Sequence, residues 1–230
     1  GAIEEAIGHA KQILRSYPKC IETYRLLGKA FLESHRYTEA SDILQRVLSV
    51  IPDDFIAQIG MSIIREDEGN LDAAIWHMER AFEVQPANIA VQDELRRLYG
   101  RRDGAEPPKV RLTSGGLIRM YVRGELLGQA ISEILAVLKD DPKRHDLEVI
   151  LARMYALTDQ KQKSIQTAYN LVAKLPYCYE ANRLLADLLP ETGKEEDAQL
   201  HLRRVQAIDP YEAFVNPGAP TAGDVPDQTV

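Results

Sequence analysis

Residues 24–52 read YRLLGKAFLESHRYTEASDILQRVLSVIP. Two apolar stripes run through this stretch, Leu27 and Phe31 in its first half and Ala40, Leu44 and Val47 in its second. Within each stripe the spacing of three or four places the side chains on one face of a helix. Pro52 ends the second stripe, because proline has no N–H to donate and disfavours helix in the residue before it. Outward from this stretch, prolines stand also at 18 and 86 and again at 142, 176 and 210, with 34 residues between neighbours in each set. The gap from Pro86 to Pro142 is 56 residues, one period plus 22.

The side chains recur in phase with the prolines. With proline as position 32, the repeats are 21–54, 55–88, 111–144, 145–178 and 179–212. Position 20 is small throughout (Ala40, Ala74, Ala130, Ser164, Ala198), which lets two helices approach closely. Position 7 is Leu27, Met61, Leu117, Leu151 and Leu185; position 24 is Leu44, Met78, Ile134, Ala168 and Leu202. Gly69 and Gly193 occupy position 15, where a turn between two helices takes a positive φ. A period of this length means stacked two-helix units rather than a single closed core.

YRLLGKAF at 24–31, followed by Tyr37, Ala40 and Pro52, resembles the signature of the tetratricopeptide repeat (TPR) family. The resemblance implies an all-α helix–turn–helix solenoid wound as a right-handed superhelix. It covers residues 1–212 apart from 101–110. Position 8 departs from the family glycine after Gly28, becoming Ser62, Ile118, Ala152 and Ala186, and Pro190 should shorten the first helix of its repeat.

Two places break the period. Residues 1–20 fit only a second helix, with Ala6 at position 20 and Ala10 at position 24, so the reading is a half repeat and a fragment of a longer protein. Residues 89–99 (IAVQDELRRLY) form an orphan first helix, capped by Asn88 and Gly100. RRDGAEPPKV at 101–110 has linker composition. The expected organisation is an N-terminal lobe over 1–100, a connector over 101–110, a C-terminal lobe over 111–212 and a Pro/Gly-rich tail over 213–230.

Composition limits the function. The chain has 230 residues, 45% hydrophobic and 27% charged, with Lys+Arg 28 against Asp+Glu 35 and a net charge of −7, which argues against a polyanion binder. No run approaches the roughly 20 apolar residues of a membrane span. The N-terminus lacks the layout of a signal peptide, so the default location is cytoplasmic. Cys20 and Cys178 cannot form a disulfide framework and read as small semi-buried residues at helix starts.

Local chemistry is absent from the sequence. Histidines 9, 35, 77, 145 and 201 make no i, i+4 pair of metal ligands. No phosphate loop is present; Ser114-Gly115-Gly116 is the nearest and lacks the lysine. Neither catalytic activity, cofactor nor metal is expected.

The resemblance implies that positions 2, 5, 9 and 12 or 13 of each first helix line a concave groove that holds a partner peptide or helix. Carried over, the partner-binding candidates are Arg25, Lys29, Ile56, Ile59, Ile63, Arg97, Arg119, Arg123, Arg153 and Arg183. They suit a protein partner bearing acidic and apolar groups, while ion pairs with Asp93, Glu94, Asp146 and Glu180 would merely solvate the face. The family's carboxylate clamp is not met: Gly60 and Glu94, or Ile150 and Leu184, stand where it needs polar or basic residues. The expected function is a non-catalytic interaction scaffold. A docking domain of a larger enzyme and self-association through the array ends stay open, the latter from Ile3, Ile7, Ile13 and Leu14 on the first helix. Arg96, Arg97, Arg101, Arg102, Lys109 and Arg111 gather within sixteen residues, yet only Tyr99 offers an aromatic platform, so the connector reads as a solvated hinge and not a nucleic-acid surface.

Overall fold

The computed structural model describes residues 1–211; among them are twelve α-helices, one 3-10 turn and no strand. The tail expected over 213–230 lies outside the described residues. Helix α1 (Ala2–Ser16) stands alone as a second helix. The pairs are α2 (Ile21–Glu33) with α3 (Tyr37–Val50), α4 (Phe55–Asp67) with α5 (Leu71–Val84), α7 (Ser114–Arg123) with α8 (Leu127–Asp140), α9 (His145–Leu157) with α10 (Lys161–Lys174) and α11 (Tyr179–Leu188) with α12 (Glu195–Ile208). Helix α6 (Ile89–Asp103) has no second helix after it.

Each pair closes where positions 8 and 20 meet. All five position-20 residues are buried, and Ser62 Oγ donates to the Ala74 carbonyl at 2.8 Å. Ser164 Oγ does the reverse, donating to the Ala152 carbonyl at 2.8 Å. Every position 15 takes a positive φ: His35 (55°), Gly69 (75°), Glu125 (58°), Asp159 (58°) and Gly193 (74°). The turn therefore imposes the left-handed conformation even where a side chain makes it costly.

Between repeats, a side chain six residues after the proline caps the proline's own carbonyl. Tyr24 Oη donates to Pro18 O (3.1 Å), Gln58 Nε2 to Pro52 O (2.8 Å), Gln92 Nε2 to Pro86 O (2.6 Å) and Asn182 Nδ2 to Pro176 O (3.1 Å). A carbonyl stranded at a helix end is satisfied by the next helix, which ties repeat to repeat. Pro190 acts as expected: α11 stops at Leu188 and a 3-10 turn follows over Pro190–Thr192.

The orphan helix differs from expectation. It runs to Asp103, and its left-handed cap is Gly104 (φ 83°), not Gly100. Gly100 sits inside the helix because the connector folds back over it; a Cβ there would lie 2.5 Å from Glu106 Cγ and 3.2 Å from the Glu106 backbone nitrogen.

The arrays on either side of the connector pack edge to edge. The turns carrying the prolines of one face those of the other in antiparallel order. Lys19 Nζ sits 4.2 Å from the Tyr177 ring centroid, Asp53 reaches Arg119 on α7, and Glu83 at the end of α5 meets Thr113 and Arg144. Ile208, Tyr177 and Tyr179 join the apolar cluster built on Leu27, Leu44, Val47 and Met61.

Candidate partner-binding face

The groove candidates occupy first helices, and the structure divides them by what each side chain already touches. On α2, Arg25 is bound to Asp54 and Glu22, and Lys29 Nζ lies 3.8 Å from Glu33. On α6, Arg97 bridges Glu94 and Glu66, both at 2.6 Å. Arg183 on α11 grips Glu180 through two bonds of 3.0 and 2.9 Å. Arg123 on α7 and Arg153 on α9 are exposed and make no hydrogen bond or ion pair among the described residues. These two are the cations the geometry leaves available.

Arg119 is committed elsewhere. Only 14% of its side chain is exposed; its guanidinium lies 3.1 Å from Asp53 and 3.6 Å from Asp146, and its Nε has no partner. It belongs to a buried ionic seam between the arrays. Glu83, fully buried, accepts from Arg80 (2.8 Å), Arg144 (2.6 Å) and Thr113 Oγ1 (2.8 Å). Arg144 also binds both Asp146 carboxylate oxygens at 2.9 and 2.8 Å. Burial would push the Asp146 carboxyl up, but Arg144, then Arg119 and Arg80, outweigh it and hold Asp146 below the usual carboxylate range. Gly115 lies directly under this knot: a Cβ there would stand 2.1 Å from Glu83 Oε2. Ser114-Gly115-Gly116 is therefore a packing element of the seam.

The apolar stripe on α4 is partly open. Ile56 and Ile63 are 43% and 40% exposed, and Ile59 is half-buried. Beside them α6 stands away from α4, leaving a 230 Å³ cleft with Phe55, Ile59, Ile63, Met78 and Val91 as its apolar walls and Glu94 on its rim. On α1, by contrast, Ile7 is buried and Leu14 packs into the neighbouring core, so only Ile3 (37%) and Ile13 (46%) of the four residues face outward.

Sequence reasoning missed a buried relay that recurs in two repeats. His77 Nδ1 bonds Gln58 Oε1 (2.7 Å), and His201 Nδ1 bonds Asn182 Oδ1 (2.8 Å), each amide in turn donating to a proline carbonyl. Burial, with Arg65 and Arg80 nearby, lowers the His77 pKa to about 4; burial and Arg204 lower that of His201. The signal was present as His at position 23 with an amide at position 4. Cys178 is buried and its thiol is pushed up to about 11, so it is no nucleophile at neutral pH. Among the described residues no group of three or more His, Cys, Asp or Glu is placed to hold a metal, and no helix is long and apolar enough to cross a membrane.

A sequence profile of the tetratricopeptide repeat matches residues 1–59, the half repeat, the first full repeat and the start of the next. That stretch is tetratricopeptide repeat (TPR) sequence, and the helix pairs that follow it repeat the same two-helix unit. The chain is 28% identical over 97 positions to Superkiller protein 3 of Schizosaccharomyces pombe, a stretch covering 42% of this chain and only 7% of that protein. Among solved structures, MamA (MSR-1) is 18% identical, with 84% of this chain and 98% of that one covered and a TM-score of 0.36. A TPR protein from Parabacteroides merdae ATCC 43184 is 12% identical, with 91% and 73% covered and a TM-score of 0.41. None of these likenesses bears on what this chain binds.

Proposed function

We propose that this chain is a non-catalytic interaction module, built of lobes 1–100 and 111–212, that captures an extended or helical partner segment along its first helices. The observation that carries the reading is the exposed Ile56 and Ile63 beside the apolar cleft between α4 and α6. Aliphatic side chains left in water at the mouth of an apolar cleft favour an apolar anchor from a partner. Arg123 and Arg153, unpaired on the second array, supply sites for acidic groups of the same partner. Arg25, Arg97 and Arg183 already have carboxylates, and a ligand reaching them must displace those first.

Two surface variants test this in a quantitative pull-down: Ile56→Glu/Ile63→Glu and Arg123→Glu/Arg153→Glu. Circular dichroism must show both as helical as the wild type. A protein retained by the wild type and lost from both variants supports capture across the face. Retention by both would end the reading.

Self-association is the second reading, and one observation favours it. Ile13 (46% exposed) and Leu26 (65%) border a 350 Å³ groove between α1 and α2. A monomer of 25.9 kDa by light scattering at high concentration would remove it.

A further inference from the structure

The run of cations around the connector is the motif that the helix-face reading leaves unused, and the fold gathers part of it about one cavity. The connector is a built loop. Gly104 reverses the chain after α6, Arg96 Nε donates to the Pro107 carbonyl at 2.9 Å, and Gly100 gives the returning backbone room. The result is an open cavity of 360 Å³ with Tyr99 and Glu79 on its helical side and Arg102, Asp103, Lys109 and Arg111 around it.

The floor is preorganised. Tyr99 Oη donates to Glu79 Oε1 at 2.7 Å, which together with burial raises the phenol's pKa. One face of the ring carries the Arg102 guanidinium, 5.2 Å from the centroid, and the ring packs against the Leu95 and Leu98 core. Arg102 is itself oriented by Asp103 through bonds of 2.7 and 3.0 Å. Lys109 and Arg111 differ: both are exposed, and neither makes a hydrogen bond or ion pair among the described residues. Asp103 is matched by Arg102 and Glu79 is held by the Tyr99 hydroxyl, so three cations stand against two carboxylates on this cavity of a chain with net charge −7, and the two without partners, Lys109 and Arg111, are those open to a ligand.

We infer that the connector cavity between Tyr99, Lys109 and Arg111 binds an acidic segment of a partner protein, a short run of Asp or Glu side chains. Carboxylates in a row fit cations spread across an open cavity better than they fit a single converging point, and a planar guanidinium receives a carboxylate through paired bonds. Nucleic acid fits poorly, because base stacking needs a bare aromatic face and the ring already has Arg102 on one side and core packing against it. The site lies on the connector, apart from the cleft on α4, so either can fail without the other.

The test is fluorescence anisotropy with the intact chain and a labelled hexapeptide, Glu-Glu-Ala-Glu-Glu-Ala. The wild type should bind, with affinity falling as salt rises. Lys109→Glu/Arg111→Glu should weaken binding by about tenfold or more, while Lys194→Glu, an exposed cation away from the connector and from the first-helix face, should leave it unchanged. Circular dichroism confirms that the variants fold; Lys109→Gln/Arg111→Gln, which adds no repulsion, should show a smaller loss in the same direction. Absence of binding at low salt, or equal binding by the reversed variant, overturns the inference. So does a phosphoserine version of the peptide, or a single-stranded oligonucleotide, that binds about tenfold tighter than the carboxylate peptide and is lost in the same variant.

Discussion

The seams inside each array and the seam between the arrays are made of different materials. Within an array, apolar side chains at positions 7, 20, 24 and 27 meet every 34 residues, and Leu44, Val47, Ile134 and Leu171 are fully buried. Between the arrays, Glu83, Arg144 and Asp146 are almost as buried, yet they are charged and belong to no period. Dispersion and hydrophobic burial tolerate small shifts of one helix on another. An ion knot does not, since a carboxylate holding two guanidiniums and a hydroxyl has one arrangement that satisfies all of them. Within each array the same apolar contact recurs, while between the two halves the ion knot adds a fixed set of partners to the apolar contacts of Ile208, Tyr177 and Tyr179.

The largest expected effect follows from breaking that knot. Glu83→Ala leaves Arg80 and Arg144 without their shared carboxylate, and stranding a buried partner costs about 3–5 kcal/mol. Urea denaturation should show that loss. Small-angle scattering of the surviving fold should show the arrays moved apart, a result that truncating Leu171 within one array should not give. Gly115→Ala forces the same carboxylate aside and should act in the same direction. An unchanged radius of gyration in Glu83→Ala would mean that the apolar contacts of Ile208, Tyr177 and Tyr179 suffice to set the angle.

The second effect belongs to the repeating side of the comparison. His77 is folded neutral with its pKa lowered to about 4, whereas the unfolded chain titrates it near the ordinary 6.5. The unfolded state therefore binds the extra proton between these values. The stabilisation is complete above pH 6.5 and is lost as pH falls toward 4, by about 3 kcal/mol. Carboxylates add their own acid dependence, so the measurement is a difference: from pH 7.5 to 4 the wild type should lose about 3 kcal/mol more than His77→Leu. Equal slopes would show that His77 charges freely in the folded state.

Period and phase carried the architecture because they are properties of one-dimensional spacing. The five pairs, the shortened helix before Pro190 and the turns at Gly69 and Gly193 all follow from residues local to each repeat. What the sequence left hidden depends on residues far apart along it. Arg119 looks like every other cation at position 9, and nothing nearby reveals that Asp53, 66 residues earlier, will meet it. Gly100 was legible as a helix end because glycine often stands there; its use as a site of close approach is fixed only by the path of Glu106. Ile56 and Ile63 were legible as first-helix surface residues from their register, but the apolar cleft beside them depends on where α6 lies relative to α4, which no local spacing reveals.

The smallest effect lies in the turns, where one backbone requirement is met by three different residue types and by glycine. Gly69 has φ 75° and open space around the place of a Cβ, so Gly69→Ala should cost about 1 kcal/mol through backbone strain alone. Glu125 takes φ 58° with an exposed side chain that makes no hydrogen bond or ion pair among the described residues. Glu125→Gly relieves the left-handed strain but gives the unfolded chain more freedom, and the net gain should be about 0.5 kcal/mol. His35→Gly should gain less, because it also gives up the 3.0 Å contact between His35 Nδ1 and Tyr37 Oη. Denaturation midpoints ordered Glu125→Gly above His35→Gly, with Gly69→Ala below the wild type, would show that the turn imposes its conformation on whatever residue occupies it. If Glu125→Gly falls below the wild type instead, unfolded-state entropy outweighs strain at position 15, and the side chains found there are themselves stabilising.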